Sequence, residues 1–537
     1  MTSTTVEKSE DSPSDPFQST RASHELHLRQ SLDNGLLEAG SQVFIPIDPE
    51  HVAIDDDTIE KEENYTGPDP DKYLVEFVGL DDPSSPLNWS VLKKSLTTLI
   101  FALCTFGPQF GSSVYGPITS NIAELYHVSS EVATLGSSLY LLGIGFGPML
   151  FAPISELFGR KVGVIIPFFI SGLFAIGCAT ATNLQTIIIM RFFQGMFGGA
   201  PVANTGGVLG DIWKPEARAT AIVMYSFVVA GSTTLAPVVG AAFSVQGHNG
   251  WRWAEYFCAI YSLTVSLVAF IFAPETYHPI LLANKAKKMR LETKNWAWHA
   301  RHDEWDFSLK EIVTKHLARP FAMLLTPIVA LICTYAAFTV GILYMGVIAV
   351  PVEFLTVRKW GKVPAYCPTI AMFIGILCGG MMNIVAGKYY ARTLRASGGK
   401  PVPEARLVVV KFGCFLLPIG LFIFGWTADP QYPWIAPVIG IAVFTVGFFV
   451  IFQGCLNYLI DAFLRFSASA IAATTFTRSC FAAAFPLFGR AMFENLTVAW
   501  GASLIGFIAI LMIPIPFVFH KYGVEIRKRN PYAKQVM

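Results

Sequence analysis

The sequence predicts an all-α polytopic membrane protein, with twelve transmembrane helices in two six-helix bundles. Three observations carry that expectation. Hydrophobic residues make up 53% of the chain and charged residues only 14%, where a soluble protein carries about a quarter charged. Beyond the polar first ninety positions the chain becomes a series of apolar runs, each about 20 residues long, the length that crosses a hydrocarbon core of roughly 30 Å. The runs fall six and six about a long polar loop, the layout that two repeated bundles produce.

Residues 1–90 are rich in Ser and acidic residues and include the run Ile54–Glu63 (IDDDTIEKEE). Such a segment buries too little apolar surface to fold alone and is expected to be a disordered cytoplasmic tail. It reads either as a regulatory tail or as a solvated extension. No secretory signal opens the chain, so the first span is expected to act as a signal anchor. Spans are expected near 95–115, 133–154, 162–182, 184–208, 219–243 and 252–273, then near 321–346, 366–388, 407–426, 434–460, 467–488 and 497–519. The domain division is therefore an N-terminal bundle at 91–274, a cytoplasmic central loop at 275–320, a C-terminal bundle at 321–519 and a cytoplasmic tail at 520–537.

Lysine and arginine orient the spans. They follow span 2 (Arg160, Lys161) and span 4 (Lys214, Arg218), fill the central loop, and recur between spans 8 and 9 (Lys388, Arg392, Arg395, Lys400, Arg406) and in the last tail (Arg527, Lys528, Arg529). The opposite loops at 116–132, 244–251 and 427–433 hold none. The positive-inside rule then puts both termini in the cytoplasm. Arg358, Lys359 and Lys362, between spans 7 and 8, run against it. A net charge of +1 gives no reason to expect nucleic acid. Most of the nine cysteines lie in apolar runs and form no zinc-like spacing, so they read as small buried hydrophobes. No G-x-x-x-x-G-K-[ST] string marks an ATP site, no HExxH or G-x-S-x-G string marks an enzyme, and no cofactor is expected.

Two strings concentrate the chemistry. The first is APISELFGRK, Ala152–Lys161, where Gly159 permits a tight turn and Glu156 lies four residues before Arg160, within reach if the helix continues. The second is IIIMRFFQG, Ile187–Gly195, which sets Arg191 in an apolar run about 10 Å below the outer end of span 4. An arginine at that depth costs a few kcal/mol and marks a functional site by default. Two readings stand: the guanidinium meets a wet cavity or polar partner, or it snorkels to the headgroups. Gln194 and Gly195 lie one turn along. A weak internal repeat accompanies these strings. Span 4 ends GGVLGD at Asp211 with Arg218 soon after, and span 10 ends LNYLID at Asp461 with Arg465 soon after. Asp461 also reads simply as an i,i+4 partner of Arg465.

The first string resembles the loop signature of the major facilitator superfamily, and the second its fourth-span signature. LNWS (Leu87–Ser90), PETYHP (Pro274–Pro279) and NYLIDAF (Asn457–Phe463) are similar to strings of the superfamily's fungal twelve-span drug:proton antiporters. The resemblance runs from about Pro86 to the end of span 12. It implies the major facilitator fold and a monomer that exports a small organic molecule, such as a drug, toxin or secondary metabolite, across the plasma membrane by alternating access. Proton coupling would rest on Arg191, Gln194 and Gly195. A cytoplasmic gate would comprise Glu156, Gly159, Arg160, Lys161, Asp211, Arg218, Asp461 and Arg465. In span 5, AGSTTLAPVVGAAF, Pro237 and Gly240 match the antiporters' packing motif, while Ser232, Ala236 and Ala241 depart from it. Those departures leave open a nutrient importer or uniporter; a non-transporting sensor and a vacuolar location also remain open. Candidate cavity residues are Gln109, Tyr140, Tyr225, Tyr344 and Gln453, each of which also reads as ordinary helix packing. Glu353 reads as a guard of the outer mouth or as the partner of Arg358.

Overall fold

A computed structural model describes residues 73–77, 82–247, 249–304, 318–397, 402–463, 466–528 and 530. The six N-terminal spans are Val91–Val114, Ser130–Phe158, Arg160–Thr180, Leu184–Ile212, Pro215–Ser244 and Gly250–Phe272. Spans 7 to 10 are Pro327–Val352, Ile370–Ala396, Leu407–Trp426 and Ile435–Ala462. Spans 11 and 12 occupy Ser467–Met512 as two helices that meet at Thr497, whose φ 67 and ψ 160 are not helical, and span 12 continues as Pro514–Lys528. The last of these elements lies partly in the segment read as a tail: Phe519 and Gly523 are buried, and Arg527 is tied to Glu404, so helix replaces the expected free end.

Among the described residues, ten segments are long and apolar enough to cross a membrane. The last of them, Ser469–Lys528, holds two crossings, and Val91–Val114 supplies the remaining one. With twelve crossings both termini lie at one end of the molecule, the terminal end; the opposite is the far end. Span 7 begins later than its hydropathy indicates. A short helix, Arg319–Leu324, stops at Thr326, and Pro327 opens the span at the first helical turn, where its missing N–H costs nothing.

Each half has its own apolar core, and that of the C-terminal half also takes in Leu141 of span 2. One apolar core joins spans 7, 9, 10, 11 and 12 through Tyr335, Phe424, Phe444 and Tyr458. The N-terminal half has a far-end cluster around Tyr115, Ile187 and Trp251 and a terminal-end cluster around Phe101, Phe168 and Val208.

The tail read as disordered to residue 90 ends sooner. Val75 N–H donates to His299 O at 2.8 Å and His299 N–H to Tyr73 O at 3.1 Å, an isolated parallel bridge to the central loop. Tyr73 meets Trp298, Phe77 meets His278, and Val75 is buried with Ala286 and Ala300. Alternating apolar residues thus give this short stretch one face to bury. Residues 1–72, including Ile54–Glu63, lie outside the described residues, as do Lys310, Lys315, Lys400, Arg465 and Arg529.

Candidate functional site

Arg191 is fully buried, which removes the snorkelling reading. Its Nη1 donates to Glu255 Oε1 at 3.1 Å and to Gln194 Oε1 at 3.4 Å. Its Nη2 donates to Gly111 O at 3.0 Å and its Nε to Gly136 O at 3.4 Å. Gln194 Nε2 donates to Glu255 Oε2 at 3.3 Å and completes a ring of three side chains. The guanidinium lies between the rings of Tyr115 and Tyr140, 4.4 and 4.2 Å from their centroids. One side chain of span 4 therefore engages spans 1, 2 and 6. The glycines that offer it their carbonyls also make room for the rings. A Cβ on Gly111 would lie 2.7 Å from Tyr140 Oη, and one on Gly136 2.5 Å from Tyr115 Oη.

Glu255 was missed by the sequence reading. It lies one turn into span 6 beside Arg252 and Trp253, where a carboxylate looks interfacial, yet it is wholly buried. Gly195 has a packing function here: a Cβ would fall 2.1 Å from Tyr140 O on span 2. Tyr140 was expected to line a cavity, and the structure corrects this. It is 1% exposed, donates to Pro108 O at 2.9 Å and forms the floor under Arg191.

At the terminal end the loop string is resolved into parts. The helix does not continue past Phe158; Gly159 takes φ 93, and span 3 starts at Arg160. The expected i,i+4 geometry between Glu156 and Arg160 is therefore lost, although Glu156 still acts electrostatically on Arg160. Arg160 Nε instead donates to Asp211 Oδ2 at 3.1 Å and its Nη1 to Ser155 Oγ at 3.1 Å. The N–H groups of Arg160 and Lys161 donate to Glu275 of the PETYHP string at 2.9 and 3.1 Å. A carboxylate there complements the positive end of span 3. Arg218 donates to Gly210 O at 3.1 Å and to Trp213 O, closing the end of span 4.

The other half repeats the plan. Asp461 at the end of span 10 accepts from Arg406 Nε, at the start of span 9, at 2.7 Å. The expected i,i+4 pairing with Arg465 lies outside the described residues. Arg406 also stacks on Tyr390, 3.4 Å from its centroid. Arg527, at the end of span 12, holds Glu404 ahead of span 9 at 2.8 Å, as Glu275 after span 6 holds span 3. All these ties lie within one bundle. Pro237 lies inside span 5, and a Cβ on Gly240 would be 2.4 Å from Val114 O on span 1.

Between the halves, Gln109, Tyr225, Tyr344 and Gln453 are half-buried. Tyr344 Oη is 3.3 Å from Ser112 Oγ across the bundle boundary, and Tyr225 neighbours Thr105. The structure brings both tyrosines to a side chain the sequence reading did not single out, Arg478 of span 11. Phe452 stands 5.5 Å from its guanidinium carbon. The signal was present, since Arg478 is an arginine inside an apolar span like Arg191.

The far end carries further ties between halves. Lys362 Nζ donates to Asn121 Oδ1 at 3.0 Å and Ser120 Oγ at 3.2 Å, and Thr369 Oγ1 donates to Thr234 O at 3.1 Å. Glu353 is fully buried and accepts from Arg358 Nε at 3.1 Å, so of its two readings the partner reading holds. Arg358 also donates to Tyr432 O and Thr427 O at 3.0 and 2.9 Å. Two of the three cations that run against the loop-charge rule, Arg358 and Lys362, are thus engaged by the protein.

The Major Facilitator Superfamily profile matches residues 101–486. The chain is 42% identical over 463 residues to the efflux pump bik6 of Gibberella fujikuroi, covering 86% of this chain and 95% of that protein. It is 41% identical over 467 residues to the major facilitator superfamily multidrug transporter FLU1 of Candida albicans, covering 86% and 76%. The partially occluded inward open structure of the xylose transporter XylE from E. coli superposes with a TM-score of 0.55 at 16% identity, covering 80% of this chain and 99% of that one. At that identity the likeness concerns the fold.

Proposed function

The chain belongs to the Major Facilitator Superfamily, and we propose that it exports a small organic compound in exchange for protons. It is a multi-pass membrane transporter and not an enzyme. The relatives named as an efflux pump and a multidrug transporter support the outward direction and a drug-like or secondary-metabolite cargo. The terminal end faces the cytoplasm, in accord with the loop charges. A monomer in the plasma membrane is the working unit.

The observation that carries the coupling is the buried Arg191–Gln194–Glu255 ring. Both charges have left water, and each is tolerable there only because of the other. A proton on Glu255 would strand the guanidinium between two aromatic rings, so proton binding and a rearrangement of spans 1, 2, 4 and 6 must occur together. Proton occupancy then selects between arrangements of the N-terminal bundle. Arg160–Asp211 and Arg406–Asp461 serve as paired locks at the cytoplasmic ends, each fixing the start of one span to the end of another. The far-end ties of Lys362 and Thr369 hold the outer side closed in this arrangement and release when the bundles rock outward.

The test is flux of a panel of fluorescent and antifungal compounds in proteoliposomes under an imposed pH gradient. Uphill movement opposite to the protons, lost in Arg191→Ala and Glu255→Gln, is the expected result. Flux indifferent to the gradient would replace the antiporter with a uniporter. Binding without flux for any compound would favour a sensor.

A further inference from the structure

Arg478 lies roughly eleven residues, or about 16 Å, into span 11, near the middle of a bilayer. Its side chain is half-buried. Among the described residues no carboxylate pairs with it. Glu255 is engaged by Arg191, Glu353 by Arg358, Asp211 by Arg160, Asp461 by Arg406 and Glu494 by Arg490. The acidic side chains of spans 4, 6, 7, 10 and 11 are thus already taken. What surrounds Arg478 is aromatic: Tyr225 from span 5, Tyr344 from span 7 and the Phe452 ring from span 10. Tyr225 belongs to one half and the others to the second, so the guanidinium stands at the boundary across which a cargo would pass.

A cation kept without a counter-charge at this depth is stabilised when a ligand supplies one. The guanidinium offers a planar donor fork that matches a carboxylate in two parallel hydrogen bonds. Flat aromatic walls suit a flat aromatic body. We propose that Arg478 is the anion-binding subsite of the central cavity and that the cargo class is a monoanionic aromatic acid, a carboxylate or ionised phenol, lying between Tyr225, Tyr344 and Phe452. This deepens the export reading and rests on it.

Binding to the full-length protein in detergent, independent of transport, provides the test. The probes are a set of aromatic carboxylates, each paired with its methyl ester, which keeps the ring and removes the charge. Wild type is expected to favour the acid of at least one pair by about tenfold or more, the increment of a charge-assisted hydrogen bond. In Arg478→Gln the acid-to-ester affinity ratio collapses toward one, and in Arg478→Lys it is partly kept. The ratio within one variant cancels any general loosening of the fold, and the wild-type comparison needs no variant at all. Absence of any acid-preferring pair in the wild type, whether both members bind alike or neither binds, overturns the proposal. So does an Arg478→Gln protein that keeps the preference. Failure of the export reading would be distinct: acids would bind selectively and yet not be moved by a pH gradient.

Discussion

A guanidinium with five donors can hold several helices at once only where each offers an acceptor, and Arg191 meets that condition on spans 1, 2 and 6 as well as on its own. Removing the acid by Glu255→Ala leaves this charge unpaired and should cost about 3–5 kcal/mol. Glu255→Gln keeps an acceptor for Arg191 and should cost much less while abolishing the response to a pH gradient. Thermal unfolding and flux together separate the two effects; an Ala variant as stable as wild type would contradict the structural part. Gly195→Ala forces a methyl group against Tyr140 O and should destabilise by about 1–3 kcal/mol, read from the same unfolding curves. Arg191 was legible because a charge in an apolar run stands out. Glu255 was not, because its neighbours Arg252 and Trp253 disguise it as an interfacial residue. Tyr140 was misplaced because one tyrosine on a helix does not reveal which face meets a cavity.

Among the elements, spans 3 and 9 begin in matching fashion. An arginine in the first turn, or just before it, reaches the aspartate that ends the following span. The hinge before span 3 needs Gly159 twice over: its φ of 93 suits glycine, and a Cβ would lie 2.4 Å from Glu275 Oε2. Gly159→Ala should therefore cost more than about 1 kcal/mol. Chemical denaturation checks this, and a neutral result would show that the carboxylate can step aside. Asp461→Ala, which strips Arg406 of its acceptor, should cost about 1–3 kcal/mol. The exchanged pair Arg406→Asp with Asp461→Arg should recover part of that loss in a double-mutant cycle. The two aspartates and their repeat could be read from the strings, since helix-end sequences are local. Their arginine partners depend on tertiary contacts across 51 and 55 residues, which local spacing does not carry. The tail misreading is of the same kind: Tyr73, Val75 and Phe77 are too few to form a core and gain one only from the central loop.

For the whole molecule, hydropathy was sufficient to give twelve spans and their grouping, because bilayer thickness fixes their length. It could not show that spans 11 and 12 meet at a single non-helical residue, since Thr497 turns the chain without a glycine or proline. If the halves rock, the far-end ties must open in every cycle. Cysteines introduced by Asn121→Cys and Lys362→Cys, joined by a short thiol cross-linker, should stop transport until the linker is cleaved. Undiminished transport by the cross-linked protein would rule out rocking about that end. Arg358 has a consequence of another kind, in the order of manufacture. Its carbonyl partners Thr427 and Tyr432 lie 69 and 74 residues further along the chain. In the proposed orientation the ribosome delivers this cation to the membrane before spans 9 and 10 exist, with Glu353 as its one neutralising neighbour from the earlier chain among the described residues. The hairpin of spans 7 and 8 is therefore inserted provisionally, and nascent chains halted before residue 427 should leave it open to slipping back toward the cytosol.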